Sequence, residues 1–208
     1  MLHRNNQRFW NRIAERYAAR PLKNVPAYEA MLADVAARLK PTDRVLEIGC
    51  GTGGTAIALA PGVAHWTATD FSSEMIRIAQ AKPAPKNLTF TVSDAATACD
   101  GGPFDAICAF NVLHLVDDLP ATLGQIHKNL QPGGQMISKT WCFADMKLSL
   151  RALFPALRAV GLFPAAKSLS EGQLGQAILD AGFEIVEQRL FGDYRQNPYI
   201  VARKQPEP

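Results

Sequence analysis

Short apolar segments of strand length alternate with segments of helical periodicity from about residue 45 to residue 140, and this alternation constrains the fold more than any other feature. The connections between these strands are about a dozen residues or longer, enough for a crossover, so the strands are predicted to be parallel. A last apolar pair has only a short turn between its members, which requires an antiparallel hairpin. The sequence therefore predicts an α/β fold with a doubly wound, mostly parallel seven-stranded sheet and an antiparallel terminal hairpin.

The predicted elements divide the chain into a helical cover and a core. Strands are predicted over residues 45–48, 63–69, 88–92, 104–110, 135–140, 183–190 and 198–202. Helices are predicted over residues 5–19, 26–39, 55–59, 73–81, 119–130, 145–160 and 170–181. Residues 1–40 are interpreted as an N-terminal helical lid and residues 41–204 as the core, with an insertion at about 141–169. The apolar side chains of the insertion fit an apolar small-molecule pocket, a helix packed on the core or a dimer contact.

Length and composition suit one globular domain with a modest addition. The chain has 208 residues, no apolar run approaches the ~18–20 residues of a membrane helix, and the N-terminus lacks the apolar core of a secretion signal. We therefore expect a cytoplasmic protein without a membrane anchor, either a monomer or a homodimer. The four cysteines form no CxxC pair, so neither a metal site nor a disulfide framework is expected. Cys108 and Cys142 lie in apolar runs and are predicted to be buried.

Positive charge is concentrated at the N-terminus. Residues 1–44 hold nine Lys/Arg against four Asp/Glu, whereas the rest of the chain holds thirteen against fifteen. Within the first helix an arginine recurs every four residues, at Arg4, Arg8, Arg12, Arg16 and Arg20. This stripe fits a solvated helix face, or a docking strip for RNA or an anionic carrier. The chain lacks the aromatic-basic array of single-strand binders, so nucleic acid is not the expected partner.

A glycine-rich loop, GCGTGG at residues 49–54, follows the first predicted strand and opens a helix. Glycines let the backbone adopt positive φ and approach a ligand closely, and the helix beyond them offers free N–H groups. Gly49, Gly51 and Gly54 also satisfy the G-x-G-x-x-G pattern of dinucleotide sites. The loop alone therefore fits a nicotinamide-dependent oxidoreductase as well as an adenosyl-binding protein.

Acidic residues near the ends of three successive strands narrow the choice of ligand. Asp70 lies about 20 residues beyond the loop, where a carboxylate can accept hydrogen bonds from ribose hydroxyls. Glu47 stands in an otherwise apolar strand, and burying it is costly unless it holds the loop or faces the cationic end of an amino-acid-bearing ligand. Asp94 follows the third strand. Together with the loop, these residues are predicted to line one adenosine-sized crevice.

These segments, taken in order, resemble the class I, Rossmann-like S-adenosylmethionine-dependent methyltransferases that act on small molecules. VLEIGCGTG at residues 45–53 is similar to the family's first motif, and TDFSSEM at 69–75 to its ribose-binding segment. SDA at 93–95 is similar to the segment that contacts the adenine amino group. FDAI through NVLH, at 104–114, resembles the fourth strand and the loop beyond it, and LQPGG at 130–134 the turn before strand five. The resemblance covers about residues 9–203.

The resemblance implies S-adenosyl-L-methionine as the cofactor and S-adenosyl-L-homocysteine as the product. The residues predicted to bind the cofactor are Glu47, Gly49, Cys50, Gly51, Gly53, Asp70, Phe71, Met75, Asp94, Ala95 and Asn111. Plainer interpretations remain open for several of them. The glycines fit a tight βα turn, Asp70 a helix cap, Asp94 a loop acid, and Phe71 and Met75 core packing.

The acceptor side of the site is less constrained. A sulfonium methyl is already electrophilic, so a general base is needed only for an acceptor that is protonated at neutral pH. The loop after strand four reads NVLH and not the N/D-P-P-Y/F of enzymes that methylate planar nitrogen, which argues against nucleobase and glutamine acceptors. His114 is the candidate base, although a histidine that opens the next helix or bonds to backbone is the favoured interpretation. Tyr17 resembles the tyrosine with which the family's N-terminal helix covers the cofactor, and core packing is the alternative.

The function expected from the sequence is therefore in-line transfer of a methyl group to a small-molecule acceptor. A nicotinamide-dependent oxidoreductase, a non-catalytic adenosyl-binding module and an RNA methyltransferase that docks through its basic first helix are the alternatives. An aminopropyltransferase shares the scaffold, but Asn111 stands on the loop where its catalytic acid belongs. The sequence does not identify the acceptor or the atom that receives the methyl.

Overall fold

The computed structural model describes the backbone of residues 2–206 and the side chains of residues 6–206. The strands are β1 (Arg44–Ile48), β2 (His65–Asp70), β3 (Leu88–Val92), β4 (Phe104–Phe110), β5 (Leu130–Lys139), β6 (Phe183–Arg189) and β7 (Tyr199–Lys204). The α-helices are α1 (Leu2–Ala18), α2 (Val25–Arg38), α3 (Gly54–Leu59), α4 (Ser73–Gln80), α5 (Leu119–Asn129), α6 (Leu148–Arg151), α7 (Phe154–Ala159) and α8 (Glu171–Asp180). Short 3-10 turns lie at Ala60–Gly62 and Phe143–Asp145.

The strands form one seven-stranded sheet in the order β3-β2-β1-β4-β5-β7-β6. β1 pairs in parallel with β2 and β4, and β3 and β5 extend the parallel part on either side. β7 is antiparallel to both β5 and β6. The predicted doubly wound sheet with an antiparallel terminal hairpin is confirmed. Its strand order reverses between β1 and β4, the point at which open α/β sheets bind ligands.

Side chains of the sheet alternate between two apolar cores, one on each face. Leu46 and Ile48 belong to the first core, and Val45 belongs to the second. Every residue of β4 except Asp105 is buried, as expected for a central strand of a parallel sheet. Strict alternation places Glu47 on the same face as Val45, where its carboxyl group must find polar partners or stay neutral.

The two N-terminal helices begin and pack as their sequences dictate. The side chain of Asn24 caps α2 by accepting a hydrogen bond from the Ala27 backbone N–H at 3.1 Å. Met31 and Val35 form the buried stripe of α2. The apolar face of α1 contributes Ala14 and Trp10 to a small third cluster with α4. The covering helices are thereby packed on the edge of the sheet that carries the glycine loop.

The insertion differs from its predicted form. The sequence pattern predicts one helix over residues 145–160, but the chain forms a 3-10 turn and then the short helices α6 and α7. Pro155 lies in the first turn of α7, and a proline inside the predicted helix removes a hydrogen-bond donor and clashes with the preceding turn. Gly161, at φ 68°, then redirects the chain.

The start of β5 also differs from the prediction. β5 begins at Leu130 and not at residue 135, with an irregularity in its pairing with β4 between Phe104 and Ala106. Gly134 permits this arrangement, because a Cβ there would lie 2.9 Å from the Gln131 carbonyl oxygen and 3.0 Å from that of Asp105. The predicted turn at 130–134 is therefore built into the strand as a bulge.

Three further findings concern the described residues. None of their helices is long and apolar enough to cross a membrane. They hold no group of three or more His, Cys, Asp or Glu side chains that could bind a metal ion. Cys108 and Cys142 are fully buried, as predicted.

Candidate functional site

The glycine loop leaves β1 through three glycines with positive φ: 72° at Gly49, 54° at Gly51 and 78° at Gly53. Packing requires two of them to lack a side chain. A Cβ on Gly49 would lie 2.5 Å from the Val112 side chain, and one on Gly53 would lie 2.6 Å from the Phe90 ring. Gly51 differs, because the nearest atom to its would-be Cβ is a ring carbon of Tyr17 at 3.9 Å. Gly51 is thus the one of these three positive-φ glycines that leaves space for a ligand.

A cavity of about 830 Å³ opens beside this loop at the carboxyl ends of the parallel strands. Its volume is within the usual range for cofactor and small-molecule sites. The predicted cofactor residues in its wall are Glu47, Gly49, Cys50, Gly51, Asp70, Phe71, Met75, Asp94, Ala95 and Asn111. Gly53 is the exception, since it packs on the core. Met75 lines the cavity and is also part of the core cluster between α1 and α4, so it packs in the core, and its contact with the cofactor stays a prediction.

Asp70 holds the loop in place. One of its carboxylate oxygens accepts from the Gly51 backbone N–H and the other from the Ser72 backbone N–H, each at 2.9 Å. The pKa of Asp70 is raised by burial, and these two hydrogen bonds only partly offset the rise by stabilising the carboxylate. Asp70 is not the side-chain cap of α4, because Ser72 accepts from the Met75 N–H in that role. Each carboxylate oxygen retains a lone pair that can accept from a ribose hydroxyl.

Glu47 is a buried acid at the floor of the cavity. Its side chain is 2% exposed, and the Trp66 indole N–H donates to its Oε2 at 3.3 Å. Burial raises the pKa of Glu47 to about 8, against the lowering effect of the Trp66 hydrogen bond, and the Asp70 carboxylate adds to the rise. Glu47 is therefore mostly protonated at neutral pH, and a cationic ligand group would favour its ionised form.

Asn111 occupies a strained position at the end of β4. Its φ is 56°, in the left-handed region that asparagine tolerates better than most residues. Its side-chain oxygen accepts from the Asn197 amide at 3.3 Å, and the residue lines the cavity. Non-glycine residues in this backbone region cluster at functional sites. Asn111 is thus an amide placed beside the cavity by a partner 86 residues away in the sequence.

His114 is not at the cavity wall. Its side chain is 5% exposed and packs edge-on against the Phe143 ring at 5.2 Å. Its Nδ1 has no hydrogen-bond partner among the described residues, and burial lowers its pKa to about 4. His114 is therefore neutral at physiological pH. A role as general base stays a prediction that this geometry does not support.

Tyr17 does lie at the cavity wall, over Gly51. Its ring packs edge-on against Trp10, which also lines the cavity, with 5.9 Å between ring centroids. Its partial burial and the nearby Asp70 carboxylate raise the pKa of Tyr17, while Arg20 lowers it to a smaller extent. The arrangement agrees with a tyrosine that covers the loop, and the packing against Trp10 fixes the position of its ring.

Hydrogen bonds fix α1 over this site. The Gln7 amide donates to the Phe71 carbonyl oxygen at 2.7 Å, and the Ser72 hydroxyl donates to the Asn11 side-chain oxygen at 2.6 Å. Both bonds join α1 to the turn between β2 and α4. The first helix is thereby anchored to the segment that carries Asp70.

Comparison with known proteins identifies the family. A family model described as "Methyltransferase domain" matches residues 4–188, which is most of the chain. The chain belongs to that methyltransferase family. The matching region contains the glycine loop, Asp70, Asp94 and the loop after β4, all of which line the cavity. Family membership therefore favours a methyl donor over a nicotinamide cofactor for this loop.

Individual relatives agree with the family assignment. The methyltransferase is 34% identical over 153 residues to the biotin biosynthesis bifunctional protein BioCD of Bordetella avium, and the match covers 68% of this chain and 33% of that protein. Its fold is similar to that of the N-methyltransferase NodS of Bradyrhizobium japonicum in complex with S-adenosyl-L-homocysteine, with a TM-score of 0.68, 20% identity, and 97% and 98% of the two chains covered. Magnesium protoporphyrin IX methyltransferase of Synechocystis, also with bound S-adenosyl-L-homocysteine, gives a TM-score of 0.67, 23% identity, and coverage of 95% and 93%.

Several residues of the cavity wall were not predicted. Tyr28 of α2 lines the cavity, and its hydroxyl is 3.2 Å from that of Thr55. Tyr28 lies one helical turn before Met31 and Leu32. The sequence therefore already places an aromatic side chain with a polar hydroxyl at the end of the apolar stripe of α2, and this position could have indicated a site residue. Asn197, which bonds to Asn111 behind the wall, was also not predicted. Its sequence signal was only weak, as the residue before the proline that opens the last predicted strand. Arg20 and Lys23 also line the cavity, after the end of α1.

The arginine stripe does not form one uniform face. Arg12 donates to the Gly161 carbonyl oxygen of the insertion and lies 5.6 Å from the Phe9 ring. Arg20 faces the cavity. The side chain of Arg4 lies outside the described residues. At least two of the five arginines therefore serve contacts within the methyltransferase.

Proposed function

We propose that this methyltransferase transfers the methyl group of S-adenosyl-L-methionine to a small-molecule acceptor by in-line displacement. The observation that carries the proposal is the cavity itself, in which the glycine loop and the acidic residues Glu47, Asp70 and Asp94 share one wall. These groups match the amino, ribose and adenine parts of an adenosyl amino acid. Glu47 is the sharpest fit, because a buried carboxyl group with a pKa of about 8 is stabilised as an anion by a cationic ligand.

In this proposal, each part of the cofactor contacts a different group of residues in the cavity wall. Glu47 and the loop around Gly51 hold the amino-acid end, and Asp70 accepts from the ribose hydroxyls. Phe71 and Met75 pack against the adenine, with Asp94 and Ala95 at its amino group. When bound, the cofactor supplies an electrophilic sulfonium methyl. Tyr17 covers the loop and excludes water from the reacting centre.

The acceptor proposed is one that already carries a free lone pair at neutral pH. Asn111 presents a neutral amide donor beside the cavity, where it can orient an oxygen-bearing acceptor. His114, the predicted base, is buried with a pKa of about 4 and lies outside the wall. Carboxylates meet this requirement, and so do amines and thiols whose pKa is low enough to leave them unprotonated at neutral pH, because positioning alone suffices for them.

The test is a thermal-shift titration followed by a transfer assay. S-adenosyl-L-methionine and S-adenosyl-L-homocysteine are each expected to raise the melting temperature, and Asp70→Asn is expected to abolish most of the rise. Asp180→Asn, on the outer helix α8, is the matched control. Labelled methyl transfer is then screened over small carboxylates, thiols, amines and phenols.

The outcomes separate the alternatives. Absence of any thermal shift with either ligand contradicts the proposal, and quenching or enhancement of NADH fluorescence identifies a nicotinamide site instead. Cofactor binding without turnover on any acceptor class identifies a non-catalytic module. Retention of RNA in a low-salt gel-shift titration supports an RNA substrate.

A further inference from the structure

A second cavity, of about 510 Å³, lies within the insertion and shares no lining residue with the cofactor cavity. Its floor is a cluster of three phenylalanine rings. Phe143 packs edge-on against Phe154 at 5.3 Å and against Phe163 at 5.5 Å, while Phe154 and Phe163 stack with 4.7 Å between centroids. The flat, apolar surface that these rings present suits an aromatic ring or an acyl chain.

Three cationic side chains surround this aromatic floor: Arg151, Arg158 and Lys167. Backbone carbonyl groups position the two arginines. Arg151 donates through one nitrogen to the Ala144 oxygen at 3.1 Å, and Arg158 through one nitrogen to the Ala166 oxygen at 3.0 Å. A guanidinium has five N–H donors, so both arginines keep donors for a ligand.

No acidic residue balances this charge at the cavity. Among the described residues that line it, none is aspartate or glutamate. Within the described part of the chain, neither arginine nor Lys167 forms a salt bridge. A cavity with three cations and no anion is complementary to a negatively charged ligand.

The cavity also has an exposed apolar rim. Leu148, which lines it, is 76% exposed. Exposed apolar groups beside a cavity of this kind indicate that a ligand with an apolar body gains by covering them. The aromatic floor, the rim and the cations thus select the same class of ligand.

We propose that this cavity is a second binding site, for an amphipathic anion whose aryl or acyl body lies on the phenylalanine rings and whose carboxylate is held by Arg151, Arg158 and Lys167. The site is separate from the cofactor cavity in its lining residues. It assigns the insertion a binding role that the proposed methyl transfer does not require.

The proposal is tested by binding of 4-phenylbutyrate to the full chain, measured by isothermal titration calorimetry. The neutral 4-phenylbutan-1-ol and the cationic 4-phenylbutylamine are the charge controls. We expect saturable binding of one 4-phenylbutyrate per chain, about tenfold tighter than the alcohol, since hydrogen bonds to charged groups contribute more than neutral ones. The amine is expected to bind most weakly.

The decisive variant is the double substitution Arg151→Gln and Arg158→Gln. It is expected to weaken 4-phenylbutyrate binding about tenfold and to leave the alcohol unaffected within about twofold. The matched control, Arg195→Gln with Arg203→Gln, removes the same charge from two exposed arginines elsewhere and is expected to change neither affinity.

Other results overturn the proposal. These are the absence of saturable 4-phenylbutyrate binding at millimolar concentration, equal affinity for acid and alcohol, or equal loss in the two double variants. The thermal shift caused by S-adenosyl-L-methionine is measured on every variant. A retained shift shows that the chain is folded, and it keeps failure of this site distinct from failure of the proposed function. If the double variant loses that shift, the single Arg158→Gln variant decides the outcome by the same acid-to-alcohol ratio.

Discussion

At the scale of single residues, Glu47 couples ligand binding to protonation. Its pKa of about 8 means that about one molecule in ten carries the anion at pH 7. A cationic amino group beside it favours the anion, so binding of S-adenosyl-L-methionine is expected to release a proton. Affinity is therefore expected to rise between about pH 6 and pH 7.5. Calorimetry in two buffers of different ionisation enthalpy measures the released proton directly.

The variant Glu47→Gln serves as the control for this prediction. It cannot release a proton, so its affinity is expected to be lower and independent of pH over the same range. Proton release that persists in Glu47→Gln assigns the effect to another group and contradicts the prediction.

The same shift has a consequence for folding. The pKa of Glu47 is raised above its ordinary value of 4.5, so its contribution to stability is fully present below pH 4.5 and is lost as the pH rises through about 8. As the pH rises toward 8, Glu47 thus lowers the stability of the ligand-free protein. This is the pH range in which the residue is expected to bind the cofactor. A buried, ionisable group that costs stability in this way is typical of a functional site.

Two of the residues that the sequence did not reveal are polar side chains whose partners are distant in the chain. Tyr28 reaches the cavity because α2 packs beside the glycine loop, and Asn197 reaches Asn111 across 86 residues. Local patterns carry no information about such pairings. By contrast, Glu47 and Asp70 were predictable, because each lies next to a glycine loop or a strand end in the sequence itself.

At the scale of elements, two glycines of the loop are needed for different reasons: Gly53 for packing in the folded protein, and Gly51 for space at the ligand cavity. Gly51 and Gly53 both have positive φ, so an alanine at either position carries a similar backbone cost of about 1–2 kcal/mol. Only at Gly53 does the added Cβ also collide with a neighbour, the Phe90 ring at 2.6 Å. We expect Gly53→Ala to lower the melting temperature more than Gly51→Ala.

The order of the two variants is expected to reverse for ligand binding. Gly51 lines the cavity and Gly53 does not, so Gly51→Ala is expected to weaken S-adenosyl-L-methionine binding more strongly at a temperature where both variants are folded. Thermal unfolding and calorimetry on the pair provide the comparison. Equal effects of the two substitutions on both measurements would show that Gly51 has no special relation to the ligand.

Elements were predictable where the local sequence signal was strong. Strands β3 and β4 occupy the residues that the apolar pattern predicts, because turn residues flank them on both sides. The insertion was not predictable in the same way. Its apolar spacing suggested one helix, but Pro155 overrides that spacing. A pattern of apolar residues also cannot show that three phenylalanines leave a cavity between them.

At the scale of the whole molecule, the first helix joins the two cavities. Asn6 lines the cofactor cavity and exchanges two hydrogen bonds with the Ala165 backbone, donating at 2.9 Å and accepting at 2.8 Å. The residues that follow Ala165, Ala166 and Lys167, line the second cavity. Arg12 adds a bond to Gly161 in the same segment. Helix α1 is therefore held over the cofactor cavity partly by the insertion.

This arrangement predicts that Asn6→Ala loosens the cover of the cofactor cavity. The substitution removes both bonds to Ala165, and a less firmly held α1 is expected to speed dissociation of S-adenosyl-L-homocysteine several-fold, since each buried hydrogen bond contributes about 1 kcal/mol. Asn129→Ala is the matched control, because the Asn129 amide bonds only to the Gln125 carbonyl oxygen within α5. Surface plasmon resonance on the immobilised chain measures the dissociation rate.

The same variant tests whether the two cavities communicate. A ligand that orders residues 161–167 also stabilises the anchor of α1, so 4-phenylbutyrate is expected to slow dissociation of S-adenosyl-L-homocysteine from the unmodified chain. Because that effect passes through Asn6, it is expected to vanish in Asn6→Ala and to persist in Asn129→Ala. Slowing of equal size in all three proteins would show that the coupling takes another route. An absence of slowing in the unmodified chain, with 4-phenylbutyrate bound, would show that the insertion and the cofactor cleft act independently.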